Sequence, residues 1–284
     1  MAPNTICREA AGPPVVLVTG AAGLRATGAE VIVGDLLSQR DVQRAVQGVD
    51  YIYFSFAVQQ GLMEASTIAA VAAAEAGVIG IINNSQWCAD MFSLSPTSRR
   101  HALAEAVFDA FPTPTVHLRG AVYNINIIKQ LGPRVASSGL LSAPNMSGAD
   151  TLPLISGYDV AATANAVLQN FSAYSGQAVL LVSQLRSLDI IAKEFSAVFN
   201  RQVLVETIDA DAWEGNLAKS LPGLNATGVE HLRALWEIMR EGSHDSDLMA
   251  KLGTAQARLG TILGRKPLTF EEDLSSYIQA QAKR

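Results

Sequence analysis

Cysteine is nearly absent: Cys7 and Cys88 are the only two in 284 residues. That is too few for a disulfide framework or a four-thiolate metal site, and it fits a reducing compartment. No group of His, Cys, Asp and Glu has metal-ligand spacing, so no metal is expected. Charge is scarce too, at 17% of residues, against roughly 25% in the usual soluble domain. The net charge is −5, and basic residues come in pairs at most, as in Arg99-Arg100 and Arg265-Lys266. Without a concentrated positive face, nucleic acid is not expected as a direct ligand. No apolar run approaches the roughly 18 residues of a membrane span, and MAPNTICREAAGPP at the start has no signal-like apolar core. These absences predict a cytoplasmic protein that does not enter a membrane.

Apolar residues are abundant, at 49%, enough for a sizeable core and compatible with an oligomer. They are arranged in alternating strand and helix signals. PVVLVTG (14–20), EVIVGDL (30–36), DYIYFSF (50–56), VIGIINNS (78–85) and TPTVHLRG (113–120) are short β-branched runs typical of buried parallel strands. Between them lie helical patterns from Ser38, a plausible N-cap, to Val46, from Leu62 to Ala76, and from Pro96 to Phe111. In the last of these, Ala102, Leu103, Ala106, Val107 and Ala110 form the expected apolar stripe. This alternation predicts an α/β fold, a parallel sheet covered by helices on both faces.

Further on, ISGYDVAATANAVL (155–168) predicts a helix capped by Ser156 or Asp159, QAVLLVS (177–183) a strand, and SLDIIAKEFSAVFNRQV (187–203) a helix leading into a strand at VLVETID. From Trp213 onward the chain is mostly helical and more charged. The expected organisation is a sheet domain over 14–150, a stretch 151–183 packing back onto it, and a smaller, mostly helical part over 184–284.

TGAAG (19–23), AEVIVGDL (29–36), GVDYIYFSF (48–56) and INNSQW (82–87) resemble successive landmarks of the NmrA-like proteins, atypical members of the short-chain dehydrogenase/reductase superfamily. So do SPTSRRHALAE (95–105), VHLRG (116–120), ISGYDVA (155–161) and LGRKPLTFEE (263–272). The resemblance covers nearly the whole chain from Pro14. It implies a Rossmann-like domain that binds NADP(H) or NAD(H) and a C-terminal substrate-binding part. Some members reduce quinones or other small conjugated molecules; others bind the cofactor to sense redox state and regulate a partner.

In such a fold the glycine turn after the first strand brings the backbone close to the pyrophosphate, at a helix N-terminus whose free N–H groups favour it. Gly20 and Gly23 occupy the first two positions of the family's G-x-x-G-x-x-G pattern and Ala26 the third, with Ala22 and Arg25 beside them. Only ten residues, Gly20 to Ala29, separate the two strand signals. A full βαβ unit takes roughly 30 or more. In the family AEVIVGDL is the third strand, so most of the first helix, the second strand and the next helix have no counterpart here. The residue that reads the ribose 2′ position is lost with them. The sequence therefore predicts a sheet one strand short, with AEVIVGDL moved beside the first strand, and a cofactor site that is weakened.

The resemblance places Asp35 and Leu36 at the adenine side, where Asp35 serves equally well to cap the following helix. Ser55, Phe56 and Ala57 fall on the pyrophosphate and ribose side, or are ordinary strand-end packing. Ser85 stands at the superfamily's serine position. Counting back from Glu105 puts His101 at the lysine position and Thr97 at the tyrosine position. Threonine is too weak an acid for the usual proton relay. His101 could hold the ribose or supply a proton, though a lone helical histidine is more often a satisfied side chain. Gln86, Trp87, Tyr123 and Asn124 fall where the family's substrate pocket lies, with Tyr123 a catalytic candidate; His117 reads as structural. The function expected is an NAD(P)-dependent oxidoreductase acting on a small carbonyl or quinone-like substrate. The alternatives are a non-catalytic regulator that binds a nucleotide or protein partner, or a cofactor-impaired variant.

Overall fold

The structure, a computed structural model, describes residues 13–20 and 29–282. In chain order its elements are β1 (Val16–Val18), α1 (Gln39–Ala45), β2 (Tyr51–Phe54), α2 (Leu62–Ala76), β3 (Gly80–Gln86), α3 (Pro96–Asp109) and β4 (Thr115–Gly120). Then come β5 (Val122–Tyr123), α4 (Asn124–Ser138), β6 (Leu140–Pro144), β7 (Thr151–Ile155), α5 (Gly157–Gln169), α6 (Phe171–Tyr174), β8 (Ala178–Leu181) and β9 (Gln184–Ser187). The remainder is α7 (Leu188–Phe199), β10 (Leu204–Ile208), α8 (Ala210–Ser220), α9 (Ala226–Gly242), α10 (Ser246–Leu263) and α11 (Phe270–Ala282).

The main sheet has five strands in the order β1-β2-β3-β4-β8, every pair parallel. Parallel strands need crossovers, and helices supply them on both faces. On one face Ile52, Phe54 and Ile81 pack against α1, α2 and α3 through Val42, Ala69, Ala73 and Phe108. On the other, Ile82, Leu118, Val179 and Leu181 meet α5 and α10 through Val160, Val167, Leu252 and Leu259. A further core joins α4, α7, α8, α9 and α11 around Phe195, Trp213, Trp236 and Phe270. It lies beside two small sheets, β10-β6 and β5-β7-β9. The Rossmann-like α/β fold expected from the alternation is present.

Two expectations need correction. EVIVGDL does not form a strand: residues 29–35 run without ladder bonds, and among the described residues β1 is the edge of the main sheet. Side chains of α1 hold this segment instead. The Arg44 guanidinium donates to the Val33 carbonyl at 3.0 Å, and Asp41 accepts from the Asp35 N–H at 3.2 Å. A cavity of about 500 Å³ separates it from β1, and Val33 is 76% exposed. A strand exists only where a neighbour's backbone accepts and donates its ladder bonds, and here α1 side chains engage the Val33 carbonyl and the Asp35 N–H instead.

The stripe expected on α3 is also turned. The buried residues are Thr97, Ser98, His101, Ala102, Ala104, Glu105 and Phe108, while Leu103 is exposed. Ser98 and Glu105 find polar partners on β3 and β4, so burying this face leaves them satisfied.

Candidate functional site

The carboxyl ends of the parallel strands form the crevice in which doubly wound sheets bind ligands. β1 delivers Thr19 and Gly20 to it. Gly20 has φ +73°, a left-handed conformation that L side chains rarely adopt. Beside it, Thr19 Oγ1 donates to the Ser55 carbonyl and accepts from the Ser55 N–H, both at 2.8 Å. That pair fixes the backbone of Ser55 just beyond β2.

From Ser55 a row of hydrogen bonds continues across the strand ends. Asn84 Nδ2 lies 3.5 Å from Ser55 Oγ, and the Tyr123 hydroxyl donates to Asn84 Oδ1 at 3.2 Å. Strand alternation explains the row. Phe54 is in register with Asn83, so Ser55 and Asn84 point to the same face. The Tyr123 ring lies beside Gly120 and Gly157, where a Cβ on either would meet it at 3.7 Å, an ordinary contact distance. Tyr53 is on the same face, and burial pushes the phenols of Tyr53 and Tyr123 above the usual tyrosine value. Both are therefore protonated at neutral pH.

Ser85 projects to the opposite face. Its hydroxyl donates to Glu105 Oε1 at 2.5 Å, and Arg119 grips the same carboxylate through Nε at 3.0 Å and Nη2 at 2.5 Å. Glu105 is buried, and this bidentate pair raises the Arg119 guanidinium further. The structure thus does not bring Ser85 together with Tyr123.

Gln86 and Trp87 border the end of β3. Gln86 Oε1 accepts from Ser98 Oγ at 3.3 Å, and Cys88 Sγ lies 3.2 Å from that hydroxyl. Burial pushes the Cys88 thiol up to about 11, with the Ser98 hydrogen bond opposing. His101 lies one turn along α3. Burial first, then His231, pushes it down to about 4, leaving a neutral imidazole. His231, on α9, is likewise held down to about 4 by burial and bonds Ser95 Oγ through Nδ1 at 2.8 Å. Trp87 Nε1 and His101 Nδ1 are buried with no partner among the described residues.

Asn124 takes a different place from the one expected. It is fully buried, and its Nδ2 donates to Asp273 Oδ2 at 2.8 Å, tying α4 to α11. Phe56 is half-buried against the α1–α3 core, and Ala57 is exposed. Asp35 is exposed and accepts from the Leu37 N–H at 3.0 Å, and Leu36 packs on the α1–α3 core; Ser38 is the N-cap of α1. His117 is structural: Nδ1 meets Asn83 and Nε2 meets Asp109, at 3.1 and 3.0 Å. Ala22, Gly23 and Arg25 lie outside the described residues. The sequence reading missed Thr19, Tyr53 and Asn84. Their signal was the period-two alternation that puts Tyr53, Ser55 and Asn84 on one face. Among the described residues no group of three His, Cys, Asp or Glu side chains could hold a metal.

The profile of the NmrA-like family matches residues 17–272. No curated protein sequence matches. Among solved structures, an NADPH-dependent quinone oxidoreductase of Escherichia coli, QOR2, complexed with NADPH, is 20% identical; the match covers 93% of this chain and 90% of that one, with a TM-score of 0.75. A Citrobacter triphenylmethane reductase complexed with NADP(H) is also 20% identical, over 92% and 89% of the two chains, with a TM-score of 0.74. NmrA, a negative transcriptional regulator, in complex with NAD, is 15% identical over 92% and 84%, with a TM-score of 0.70. At these identities the similarity establishes the fold.

Proposed function

The chain belongs to the NmrA-like family, and on that footing we propose that it is a cytoplasmic reductase binding NADP(H) or NAD(H) over the strand ends and acting on a small carbonyl or quinone-like molecule. The observation that carries this reading is the row Thr19–Ser55–Asn84–Tyr123 beside the Gly20 turn. The residues there fit such a cofactor. Gly20 presents backbone without a side chain, and Ser55 offers a hydroxyl beside it. The cofactor, when bound, supplies the hydride. The chain's part is to orient and to move a proton. Tyr123, protonated at neutral pH, gives its proton to Asn84 Oδ1 until a substrate oxygen replaces that acceptor, and His101, neutral, is a hydrogen-bonding group rather than a charge. Ser85 has no part in this reading, since its hydroxyl serves Glu105.

The adenine side fits less well. The segment carrying Asp35 forms no strand beside β1, which supports weakened cofactor binding. Among the described residues no helix is long and apolar enough to cross a membrane. The test is a titration with NADPH and NADH, followed by tryptophan fluorescence and calorimetry. Saturable binding with stoichiometry near one is expected; no binding by the folded protein overturns the reading. A second reading, a nucleotide-binding regulator with a protein partner, is favoured by the engagement of Ser85 with Glu105. Binding of NADPH without its oxidation by any of a panel of quinones and triphenylmethane dyes would decide for it.

A further inference from the structure

Asn84 has no role in the family pattern described above, yet its amide is hydrogen-bonded to both Ser55 and Tyr123. We propose that Asn84 is a positioning residue: its amide orders the hydroxyls of Tyr123 and Ser55 so that the Ser55 proton is presented to an oxygen of the bound dinucleotide. This rests on the reading that a nicotinamide dinucleotide lies over these strand ends.

The argument is an accounting of donors and acceptors. A hydroxyl has one proton, and an amide has a donor end and an acceptor end. The Tyr123 hydroxyl spends its proton on Asn84 Oδ1, at 3.2 Å. The Nδ2 end then faces Ser55 Oγ, at 3.5 Å, which accepts. Thr19 Oγ1 donates to the Ser55 carbonyl and accepts from the Ser55 N–H, so its bonds in the row are to the Ser55 backbone and not to the Ser55 hydroxyl. Among the described residues the Ser55 hydroxyl donates to no acceptor, and its proton faces the crevice, where the acceptors of a dinucleotide are ribose and phosphate oxygens. Aligned chains of this kind also polarise one another. Tyr123 thus governs Ser55 without touching it. With the phenol hydroxyl removed, the amide is free to reverse, and the Ser55 proton turns inward to Oδ1.

The order reverses if the Tyr123 phenol loses its proton. Burial pushes its phenol up, and the Asn84 amide works in the opposite sense. An amide that turns its N–H toward a phenolate does that, at the expense of its bond to Ser55. The proton state of the phenol and the direction of the Ser55 hydroxyl are therefore linked through one side chain.

The experiment uses the full chain, with NADPH as the probe, and ¹³Cζ-tyrosine labelling with Tyr123 assigned by Y123F. Ser55→Ala and Asn84→Ala are each expected to weaken NADPH binding about tenfold, the worth of one hydrogen bond. The double variant should bind within about twofold of either single, because both remove the same interaction. Tyr123→Phe is expected to weaken binding severalfold. Ser55→Ala is expected to move the Tyr123 Cζ resonance, although the two residues meet only through Asn84. Asn84→Asp keeps the acceptor and the size but lacks the N–H, and it stands in if Asn84→Ala folds poorly; the same tenfold loss is expected. Wild-type-like binding by the Asn84 variants, or a double loss equal to the product of the singles, overturns the proposal. If the wild-type chain does not bind NADPH, the functional reading fails separately. The resonance then decides: movement in Ser55→Ala supports the ordering, and an unmoved Tyr123 overturns it.

Discussion

The side-chain amide of Asn124 reaches the carboxylate of Asp273 at 2.8 Å across 149 residues of chain. Asp273 also accepts from Ser156 Oγ at 3.1 Å, so one carboxylate at the start of α11 joins β5–α4 and β7–α5 to the end of the chain. Ser156 and Asn124 are both fully buried. Asp273→Ala would leave two buried donors without an acceptor. The expected cost is about 2–4 kcal/mol, read as a fall in the urea midpoint with an unchanged slope. A loss below about 0.5 kcal/mol would show that the contact does not hold α11.

Ser85 gives a prediction that separates the family position from the observed geometry. Ser85→Ala removes one hydrogen bond to Glu105 and is expected to cost about 1 kcal/mol of stability. NADPH affinity should stay within about twofold. A large loss of reductase turnover at unchanged stability would show that the hydroxyl does leave Glu105 during the reaction.

The two buried histidines make stability depend on pH. His101 and His231 are held down to about 4, against 6.5 for a free imidazole, chiefly by burial. In the window between these values the unfolded chain binds protons that the folded chain does not. The stabilisation is therefore complete above pH 6.5 and is lost as pH falls toward 4. Each histidine contributes roughly 2–4 kcal/mol across that window. Denaturation at pH 7.5 and pH 5.0 should show the fall, and His231→Gln should flatten it. An equal slope in His231→Gln would contradict the assignment.

Gly80 sits in β3 opposite Tyr51, and a Cβ there would collide with the ring of Phe171, which packs on Tyr51 at 5.2 Å. Gly80→Ala is expected to cost about 1–3 kcal/mol by overpacking. Shortening the obstacle should relieve it, so Gly80→Ala with Phe171→Leu should lose less than the sum of the two singles. Additive losses in thermal or urea unfolding would show that the ring moves aside freely.

Much of the fold was legible because its signals are local. The apolar runs at 50–56, 78–85, 113–120 and 177–183 became β2, β3, β4 and β8, since a strand buried on both faces needs little beyond continuous apolar side chains. Ser38 and Ser156 cap α1 and α5 as expected, each accepting from an N–H two or three residues on. EVIVGDL has the same composition as those strands and failed to become one, because strand formation depends on a neighbour that composition does not reveal. The face of α3 was misjudged for a related reason. Hydrophobicity alone favours Leu103 over Glu105, but Arg119 and Ser85 make Glu105 the residue that can be buried.

The candidate site divides along the same line. Gly20 could be singled out because a glycine turn follows an apolar strand signal, and Ser55 and Tyr123 because the family resemblance marks their positions. That Tyr123 joins Ser55 through Asn84, that Ser85 turns away to Glu105, and that Asn124 belongs to Asp273 are contacts between residues 20 to 149 positions apart. By itself the sequence determined the periodicities, the caps and the family, which are properties of neighbouring residues or of the whole string. Only the tertiary structure decided which polar groups meet. A buried hydrogen bond is stable only when both partners are delivered to within about 3 Å, and that delivery is made by the packing of the sheet and its helices.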